Sequence, residues 1–431
     1  MNATPERILG TYVALTLLST LASSLIWGIN TLFLLDAGLS VTQAFAANAF
    51  FTAGEVIFEV PTGVLADTWG RRTSYLLGSA TLFASTLLYV WMWRIHGPFW
   101  GWALSSALLG LGFTFFSGAT EAWLVDGLKA TRYGGTLESA FARGQIASGV
   151  GMLAGSIAGG VIAQATSLGV PYVVRALALG LTFLVAFLWM RDVGFTPRRS
   201  ASVVGEMHGI LTGSLEQCLR NPPVRWMMLA GVFGSSVAIY GFYAMQPYLL
   251  ELHGRTDYAI AGVAAALVAA SQIVGGFIVP WTRRVFRRRT SALLLGSGAS
   301  AAALLTMGLA SHFWIVLTAL ACWALVFAAA LPIRQAFLNE IIPSARRATV
   351  LSSDNLLGSA GAAVTQPALG RVADGWGYPT SYLAAAGIQL LALPFMLLAR
   401  GERAPSDPIP VEGAAVPEPV EQGGGKRGAR P

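Results

Sequence analysis

Charged residues are scarce in this 431-residue sequence, where Asp, Glu, Lys and Arg together account for only 11% of the positions. A typical soluble domain carries about 25% charged residues, so a chain of this length could not cover a water-exposed surface with so few. Hydrophobic residues make up 55% of the sequence, and the mean hydropathy is +0.61. This composition excludes soluble, disordered, collagen-like and coiled-coil proteins, and it predicts a polytopic membrane protein.

Cysteine and histidine are also scarce. The two cysteines, Cys218 and Cys322, are too few and too far apart for a disulfide framework or a metal cluster. The four histidines lie in predicted loops or at helix ends, and the sequence has neither a phosphate-binding P-loop nor an H-E-x-x-H zinc motif. We therefore expect no metal and no other cofactor, no enzymatic activity and no ATP-driven pump.

Long apolar stretches occupy most of the chain. A helix needs about 20 apolar residues to cross a hydrocarbon core roughly 30 Å thick, and the sequence contains twelve such stretches. Their approximate positions are Ile8–Leu35, Ala44–Leu65, Tyr75–Trp93, Phe99–Val125, Ser139–Ala165, Tyr172–Met190, Arg225–Leu252, Ala259–Val279, Ser291–Ala310, Phe313–Leu338, Ala348–Val372 and Thr380–Leu398. The runs are continuous rather than alternating, which predicts an all-α polytopic fold of twelve transmembrane helices. The first run is too long for a signal-peptide core, so we expect it to remain as a helix.

The basic residues indicate how the helices are oriented. With a cytoplasmic N-terminus, all but four of the 28 Lys and Arg residues lie in cytoplasmic loops, tails or inner helix ends. The four exceptions are Arg94, Arg175, Arg255 and Arg371. Because cytoplasmic loops are enriched in Lys and Arg, we expect both termini in the cytoplasm and a multi-pass protein of a cell membrane, specifically a bacterial inner membrane. The net charge of +7 then reflects topology and not nucleic-acid binding.

The spans divide into two groups of six. We expect an N-terminal six-helix bundle over residues 1–190 and a C-terminal six-helix bundle over residues 225–399. Residues 191–224 between them are predicted to form a cytoplasmic linker with a surface helix near Val203–Leu219. Residues 400–431 are rich in Pro, Gly and Glu and are predicted to form a disordered cytoplasmic tail. Gly-x-Pro triplets at Gly169 and Gly377, about half the chain apart, indicate an internal duplication.

The loop between the second and third spans carries a specific motif. Gly63, Asp67, Gly70, Arg71 and Arg72 follow the pattern G-x-x-x-D-x-x-G-R-R. Glycine permits close helix approach at position 63 and a turn with positive φ at position 70. Asp67 can pair with arginine or cap a helix N-terminus of the other half, and the two arginines supply donors.

This motif resembles the cytoplasmic loop signature of the major facilitator superfamily, and the plan of six plus six spans extends the resemblance over residues 8–398. The resemblance implies two helical bundles that give alternating access to a central site. It also implies that the loop motif is a gating element that latches the cytoplasmic side shut in one conformation.

Two other patterns match the family only in part. The fifth span resembles the antiporter motif G-x-x-x-G-P-x-x-G-G, with serine in place of proline. Its residues are Gly151, Gly155, Ser156, Gly159 and Gly160, and they could equally form a small-residue packing face. On the opposite side of the membrane, Gly370, Asp374 and Gly377 repeat part of the loop signature, and we expect no second latch there.

Several charged residues lie inside the predicted spans, where each needs a partner or a function. The second span has a polar stripe at three- and four-residue spacing that includes Glu55 and Glu59, so this face contacts protein or a water-filled cavity. Glu55 lies near mid-span and is the first candidate for proton coupling, the alternative being a buried structural glutamate. The further proton-coupling candidates are Glu59, Glu121 and Asp354.

Two ion pairs are expected near the inner ends of the spans. Glu121 and Arg143 flank one cytoplasmic loop at similar depth, and Arg334 and Asp354 flank the equivalent loop of the second half. The charge order is reversed between the halves. We expect both pairs to be structural or gating rather than substrate-binding.

The central cavity should be lined by spans one, four, seven and ten, as in relatives of this fold. Trp27 and Asn30 lie on one face of span one, and Tyr240 and Tyr243 lie on one face of span seven. Aromatic and uncharged polar residues suit an apolar or amphipathic ligand. The same residues could instead face lipid or pack against neighbouring helices.

These features predict a monomeric, non-enzymatic secondary transporter that binds a small-molecule substrate within the lipid bilayer and uses a gradient, most simply of protons. We expect proton-coupled efflux of small hydrophobic or amphipathic compounds, as in the drug:proton antiporters of the family. The alternatives are an uptake symporter or uniporter for a neutral metabolite, and a non-transporting membrane sensor with the same fold.

Overall fold

The computed structural model describes residues 4–196, 221–254, 257–342 and 347–409. The regular structure in these ranges is helical, apart from one isolated bridge between Arg288 and Pro408. The first half contains α1 (Pro5–Trp27), α2 (Asn30–Asp36), α3 (Val41–Trp69), α4 (Arg71–Arg94), α5 (Phe99–Thr114), α6 (Ala119–Ala130), α7 (Leu137–Ala165) and α8 (Val170–Trp189). The second half contains α9 (Pro222–His253), α10 (Tyr258–Val285), α11 (Arg289–Leu309), α12 (Phe313–Ile341), α13 (Arg347–Leu390) and α14 (Ala392–Gly401).

Eleven helical segments of the described chain are long and apolar enough to cross a membrane. The last of them, Ser353–Gly401, contains 49 residues, which would extend about 74 Å as one helix, more than twice the thickness of a hydrocarbon core. The helix is broken at Gly377, whose φ of 82° and ψ of 165° are not helical. This segment is therefore two crossings, and the predicted total of twelve is confirmed.

An even number of crossings places the start of α1 and the end of α14 at the same end of the bundle. We call this end the base and the opposite end the cap. Within single crossings, the chain is interrupted between α1 and α2, and again at Gly118 between α5 and α6, where φ is 66°. Such breaks rotate the side chains that follow them relative to an uninterrupted helix.

The helix that carries the predicted proton-coupling stripe, α3, runs from the cap to the base. It begins with a capping box in which the Ser40 hydroxyl accepts from the Gln43 N–H and the Gln43 side chain accepts from the Ser40 N–H. It ends at Trp69, and Gly70, with φ of 104°, reverses the chain directly into α4. This geometry fixes the loop motif at the base.

Among the residues that the structure describes, the two halves share hydrophobic core only near the cap. The cap-side core of the first half includes Ala261 from α10, and the cap-side core of the second half includes Phe45 from α3. Each of the two base-side cores is built from residues of a single half, as far as the structure describes the chain. The halves are thus held together at the cap and lie apart toward the base.

The segment after α14 differs from the expected disordered tail. Ser406 and Asp407 are only 2% exposed, and the Ser406 hydroxyl donates to the carbonyl of Phe337 at 3.0 Å. Arg289 donates to the Ser406 carbonyl and to both carboxylate oxygens of Glu340, each at 2.5 Å. The prediction of disorder from residue 400 onward was therefore wrong for residues 402–409, because a buried arginine and the exposed backbone of the α10–α11 turn bind this polar segment. Residues 410–431, and the linker from 197 to 220 with its predicted surface helix, lie outside the described residues.

Candidate functional site

A cavity lies between the two halves on the base side of their shared core. It has two chambers, of about 590 and 430 Å³, that meet at Glu55 and Ser359. These volumes are typical of sites for small organic molecules. Ser117 and Glu121 line the cavity and are nevertheless exposed, so the cavity is open to solvent on the side away from the sealed cap.

The wall contributed by the first half is acidic. Glu55, Glu59 and Glu121 all line the larger chamber, together with hydroxyl groups such as that of Thr16. The Glu59 carboxylate accepts a hydrogen bond of 2.6 Å from the Ser117 hydroxyl. The Glu55 carboxylate has neither a hydrogen-bond donor nor a cationic partner among the residues that the structure describes.

The wall contributed by the second half is aromatic. The smaller chamber is lined by Phe242 and Tyr243 from α9 and by Trp323 and Phe327 from α12. The rings of Trp323 and Phe327 are stacked with their centroids 6.2 Å apart. Neither chamber has a lysine, arginine or histidine among its lining residues in the described chain.

Of the four residues expected to line the cavity from spans one and seven, the structure places Tyr243 there and the other three elsewhere. Asn30 is buried inside the first half, where it donates to Asn48 at 2.9 Å and accepts from the Tyr172 hydroxyl at 2.8 Å. Tyr240 is buried in the core of the second half and donates to Ser381 at 2.5 Å. Trp27 ends α1 at the cap. The expectation failed for span one because α1 stops before Asn30, so one helical face does not continue past the break.

Sequence reasoning also missed a buried cation. Arg175 was assigned to the outer side of the membrane, but its side chain is only 2% exposed inside the first half. It interacts electrostatically with Tyr89, Tyr172 and Tyr243, and its Nε and Nη2 atoms have no hydrogen-bond partner in the described ranges. Arg175 is the sixth residue of an apolar helix and does not lie in the preceding loop. This position was the sequence signal that its side chain could be buried.

The two expected ion pairs differ in outcome. Arg334 and Asp354 form a two-pronged pair with both nitrogen–oxygen distances at 2.6 Å, as the sequence predicted. Glu121 and Arg143 do not pair, because α6 turns Glu121 into the central cavity. Arg143 instead lines a separate groove of about 870 Å³ between α1 and α7.

The cap is sealed by hydrogen bonds between the halves. The Thr31 N–H and hydroxyl donate to the Gln246 side chain at 2.9 Å and to the Tyr243 carbonyl at 3.0 Å. The Gln246 amide in turn donates to the Trp27 carbonyl at 2.7 Å. These bonds tie α1 and α2 to α9 directly above the cavity.

Glycines complete the seal where α1, α7 and α10 converge. A Cβ atom added at either Gly28 or Gly160 would lie 2.9 Å from the Cα atom of Gly262. Only glycine permits this approach. In the fifth span, Gly151, Gly155 and Gly159 likewise pack against α1, and Ser156 is buried with its carbonyl next to Gly262. The antiporter-like pattern therefore has the geometry of a packing face in this conformation.

The loop motif at the base is held within the first half. Asp67, near the end of α3, pairs at 2.5 Å with Arg71, the first residue of α4. The Arg72 N–H donates to Asp192 at 2.9 Å, and the Arg72 guanidinium donates to the Phe187 carbonyl at 2.8 Å. Burial raises the pKa of Asp192, and the hydrogen bond from the Arg72 backbone opposes that rise. Contrary to expectation, Gly63 makes no close approach, since a Cβ atom there would meet nothing within 4 Å.

The second half repeats this arrangement with different residues. Asp407, which follows the last helix, accepts from the Thr290 N–H at 2.9 Å, just as Asp192 follows α8 and accepts from Arg72. Each half thus caps the N-terminus of its third crossing with an aspartate placed after its sixth.

The sequence model of the Major Facilitator Superfamily matches residues 12–287 and 259–427, which together span most of the chain. The chain belongs to the major facilitator superfamily. No curated protein sequence matches it significantly.

Solved structures of several transporters share the fold. The nucleoside transporter NupG has a TM-score of 0.75 at 12% identity, with 92% of this chain and 99% of that chain covered. A peptide transporter of the POT type in complex with sulfate has a TM-score of 0.75 at 13% identity, covering 93% and 95%. A D-xylose–proton symporter has a TM-score of 0.67 at 16% identity, covering 91% and 96%. At these identities the likeness shows the superfamily fold, and the chain is a non-enzymatic, multi-pass membrane transporter protein.

Proposed function

We propose that this superfamily member works by alternating access as a proton-coupled exporter of small hydrophobic or amphipathic compounds, with a preference for organic cations. The observation that carries the proposal is the composition of the cavity, in which an acidic wall faces an aromatic wall without a basic lining residue in the described chain.

The aromatic wall favours a flat or apolar body that carries positive charge. A cation over the face of Trp, Tyr or Phe is stabilised by about 0.5–2 kcal/mol, and more strongly when water is excluded. Trp323, Phe327 and Tyr243 offer such faces within reach of the chamber that Glu55 also lines. An anionic compound in the cavity would meet the three carboxylates of the larger chamber.

Glu55 is the proposed point of exchange between proton and substrate. It is the one carboxylate that lines both chambers, and no cation neutralises it within the described residues. A carboxylate in a low-dielectric cavity can hold a proton or pair with a bound cation, and holding both is unfavourable. Binding of a cation next to Glu55 would therefore release a proton, which is the elementary step of antiport.

The conformation supports loading from the base. The cap is sealed by the Thr31–Gln246 contacts and the glycines at Gly28, Gly160 and Gly262, whereas the cavity opens away from them. With the base in the cytoplasm, as the distribution of Lys and Arg predicts, this state would take up cargo from the cytoplasm of the cell.

The test is proton movement in proteoliposomes prepared without a pH gradient, followed with a dye trapped in the lumen. Ethidium is a suitable probe because it is aromatic and permanently charged, so it cannot carry protons across the bilayer itself. We expect its addition to raise the luminal pH, since antiport moves protons outward as the cation enters. Glu55→Gln should abolish this response, whereas Glu251→Gln, at an exposed residue at the cap end of α9, should preserve it.

The opposite sign would identify the runner-up function. A symporter would acidify the lumen as substrate enters, and neutral metabolites would be the productive probes. Proton exit that persists in Glu55→Gln would move the coupling role to Glu59, Glu121 or Asp354. A complete lack of proton movement with cationic, neutral and anionic compounds would refute proton coupling and favour a uniporter or a sensor.

A further inference from the structure

The G-x-x-x-D-x-x-G part of the loop motif occurs twice in the structure, once at each end of the bundle. Gly63, Asp67 and Gly70 end α3 at the base, and Gly370, Asp374 and Gly377 end the first crossing of α13 at the cap. The two terminal glycines have nearly the same conformation, with φ of 104° and ψ of 152° at Gly70 and φ of 82° and ψ of 165° at Gly377. The resemblance thus extends from sequence to backbone geometry.

The two helices that carry these copies are antiparallel neighbours from opposite halves. α3 begins at the cap and ends at the base, whereas α13 begins at the base with Arg347 and reaches the cap at Gly377. They approach closely near the cap, where a Cβ atom at Gly370 would lie 3.2 Å from the Cβ atom of Phe45. Each motif therefore lies at the end of the bundle where the partner helix begins.

At the cap, Asp374 caps the N-terminus of α3. One carboxylate oxygen accepts from the Val41 N–H at 2.9 Å, and the other accepts from the Thr42 N–H at 2.8 Å and from the Thr42 hydroxyl at 2.5 Å. A carboxylate at a helix N-terminus satisfies otherwise unpaired N–H groups and interacts favourably with the helix dipole. These three bonds cross between the halves.

At the base, the equivalent aspartate is engaged within its own half. Asp67 forms its ion pair with Arg71, and the base-side hydrophobic cores are not shared between the halves in the described chain. One copy of the motif is thus closed across the interface, while the other is paired locally at the open end.

We propose that Asp374 is a positioning residue of the transport cycle, a cap-side latch that holds the cap closed while the base is open and releases the N-terminus of α3 when the cap opens. The inference rests on the alternating access of the proposed function. It differs from the expectation that the second copy would not act as a latch, which was based on its location outside the cytoplasmic loops. The two aspartates are equivalent, and they would act at opposite ends of the same helix pair.

The test measures how often the cap opens. Ala261 is fully buried in the core that joins the halves near the cap, so a cysteine introduced there reacts with a polar maleimide only when the cap opens. The background carries Ala261→Cys with Cys218→Ser and Cys322→Ser, in detergent. The alkylation rate then reports the cap-open population without cargo or a proton gradient.

Two variants remove the latch from its two sides. Asp374→Asn removes the charge and one acceptor, and Val41→Pro removes a backbone donor. Proline is tolerated here because Val41 is the first residue of the helix and Ser40, with φ of −67° and ψ of 164°, has the backbone that a residue before proline adopts. We expect each variant to raise the alkylation rate about five- to tenfold, the effect of losing a helix cap.

Matched controls separate the latch from general destabilisation. Val41→Ala keeps the N–H group, and Asp36→Asn alters another cap-side carboxylate whose bond, from Trp93 at 2.8 Å, stays within the first half. Asp36→Asn should alkylate at the parental rate, and Val41→Ala, which only trims a side chain packed against the second-half core, should alkylate more slowly than Val41→Pro. Parental rates in Asp374→Asn and Val41→Pro, or equal increases in the controls, would overturn the proposal. If Asp374→Asn does not fold, Val41→Pro against Val41→Ala decides the question alone. Because no cargo is used, a failure of the ethidium experiment would leave this result standing.

Discussion

The buried pair between Arg334 and Asp354 provides the sharpest test of how this membrane protein tolerates internal charge. The two side chains are 17% and 8% exposed, and two nitrogen–oxygen contacts of 2.6 Å join them. Arg334 also donates to the carbonyl of Met227 on α9 at 3.2 Å, so the pair ties α12, α13 and α9 together.

Removing one partner leaves the other charge without compensation in a low-dielectric environment. Breaking a buried pair in this way costs about 3–5 kcal/mol. The residual exposure of Arg334 places the expected loss near the lower end, at about 3 kcal/mol, which is roughly a 150-fold change in the unfolding equilibrium. We therefore expect Arg334→Met and Asp354→Leu each to lose about this much stability.

The double variant is the informative measurement. With both charges replaced by apolar side chains of similar size, the desolvation cost disappears, and we expect the loss to shrink to about 1 kcal/mol or less. The assay is equilibrium unfolding in mixed micelles for the parent, both single variants and the double variant. Losses that simply add in the double variant would refute the reasoning, because independent effects of two substitutions would then account for the data.

Two further predictions concern the base and the cavity. Burial raises the pKa of Asp192 in the folded state, so its contribution to stability should be present below the ordinary pKa of an aspartate and be lost as the pH rises through the folded value. The difference in thermal stability between the parent and Asp192→Asn should therefore change across this pH range. A difference that is independent of pH would contradict the assignment. Trp323→Ala removes an aromatic face of the cavity and should raise the KM for ethidium roughly two- to thirtyfold, the range expected for a lost cation–π contact. The number of protons exchanged per cation should stay unchanged. An unaltered KM would place the cation elsewhere.

Local features of the sequence determined the crossings and the loop motif. Continuous apolar runs specify membrane helices because an unpaired backbone cannot remain in hydrocarbon, and this argument holds for each run separately. The loop motif predicted that Asp67 could pair with an arginine, and Asp67 pairs with Arg71 across the turn at Gly70. The pairing of Arg334 with Asp354 followed from their equal distance from one short loop.

Helix breaks and packing decided most of the rest. The interruption before Asn30 turned that residue from the cavity into the core, and the arrangement of α6 separated Glu121 from Arg143. Arg289 drew residues 402–409 out of the predicted tail. In each case the sequence pattern continues past a point where the helix stops or where a distant segment binds. The local spacing of residues encodes neither event.

The sequence by itself determined that the chain crosses the membrane twelve times in two halves, and it contained both copies of the aspartate motif. Only the tertiary structure decided which face of each helix meets the cavity, and that Asp374 reaches the start of α3. The physical reason is that hydrophobicity and short-range spacing act along one helix, whereas the partner of a buried polar group is set by which helix packs against it and at what depth.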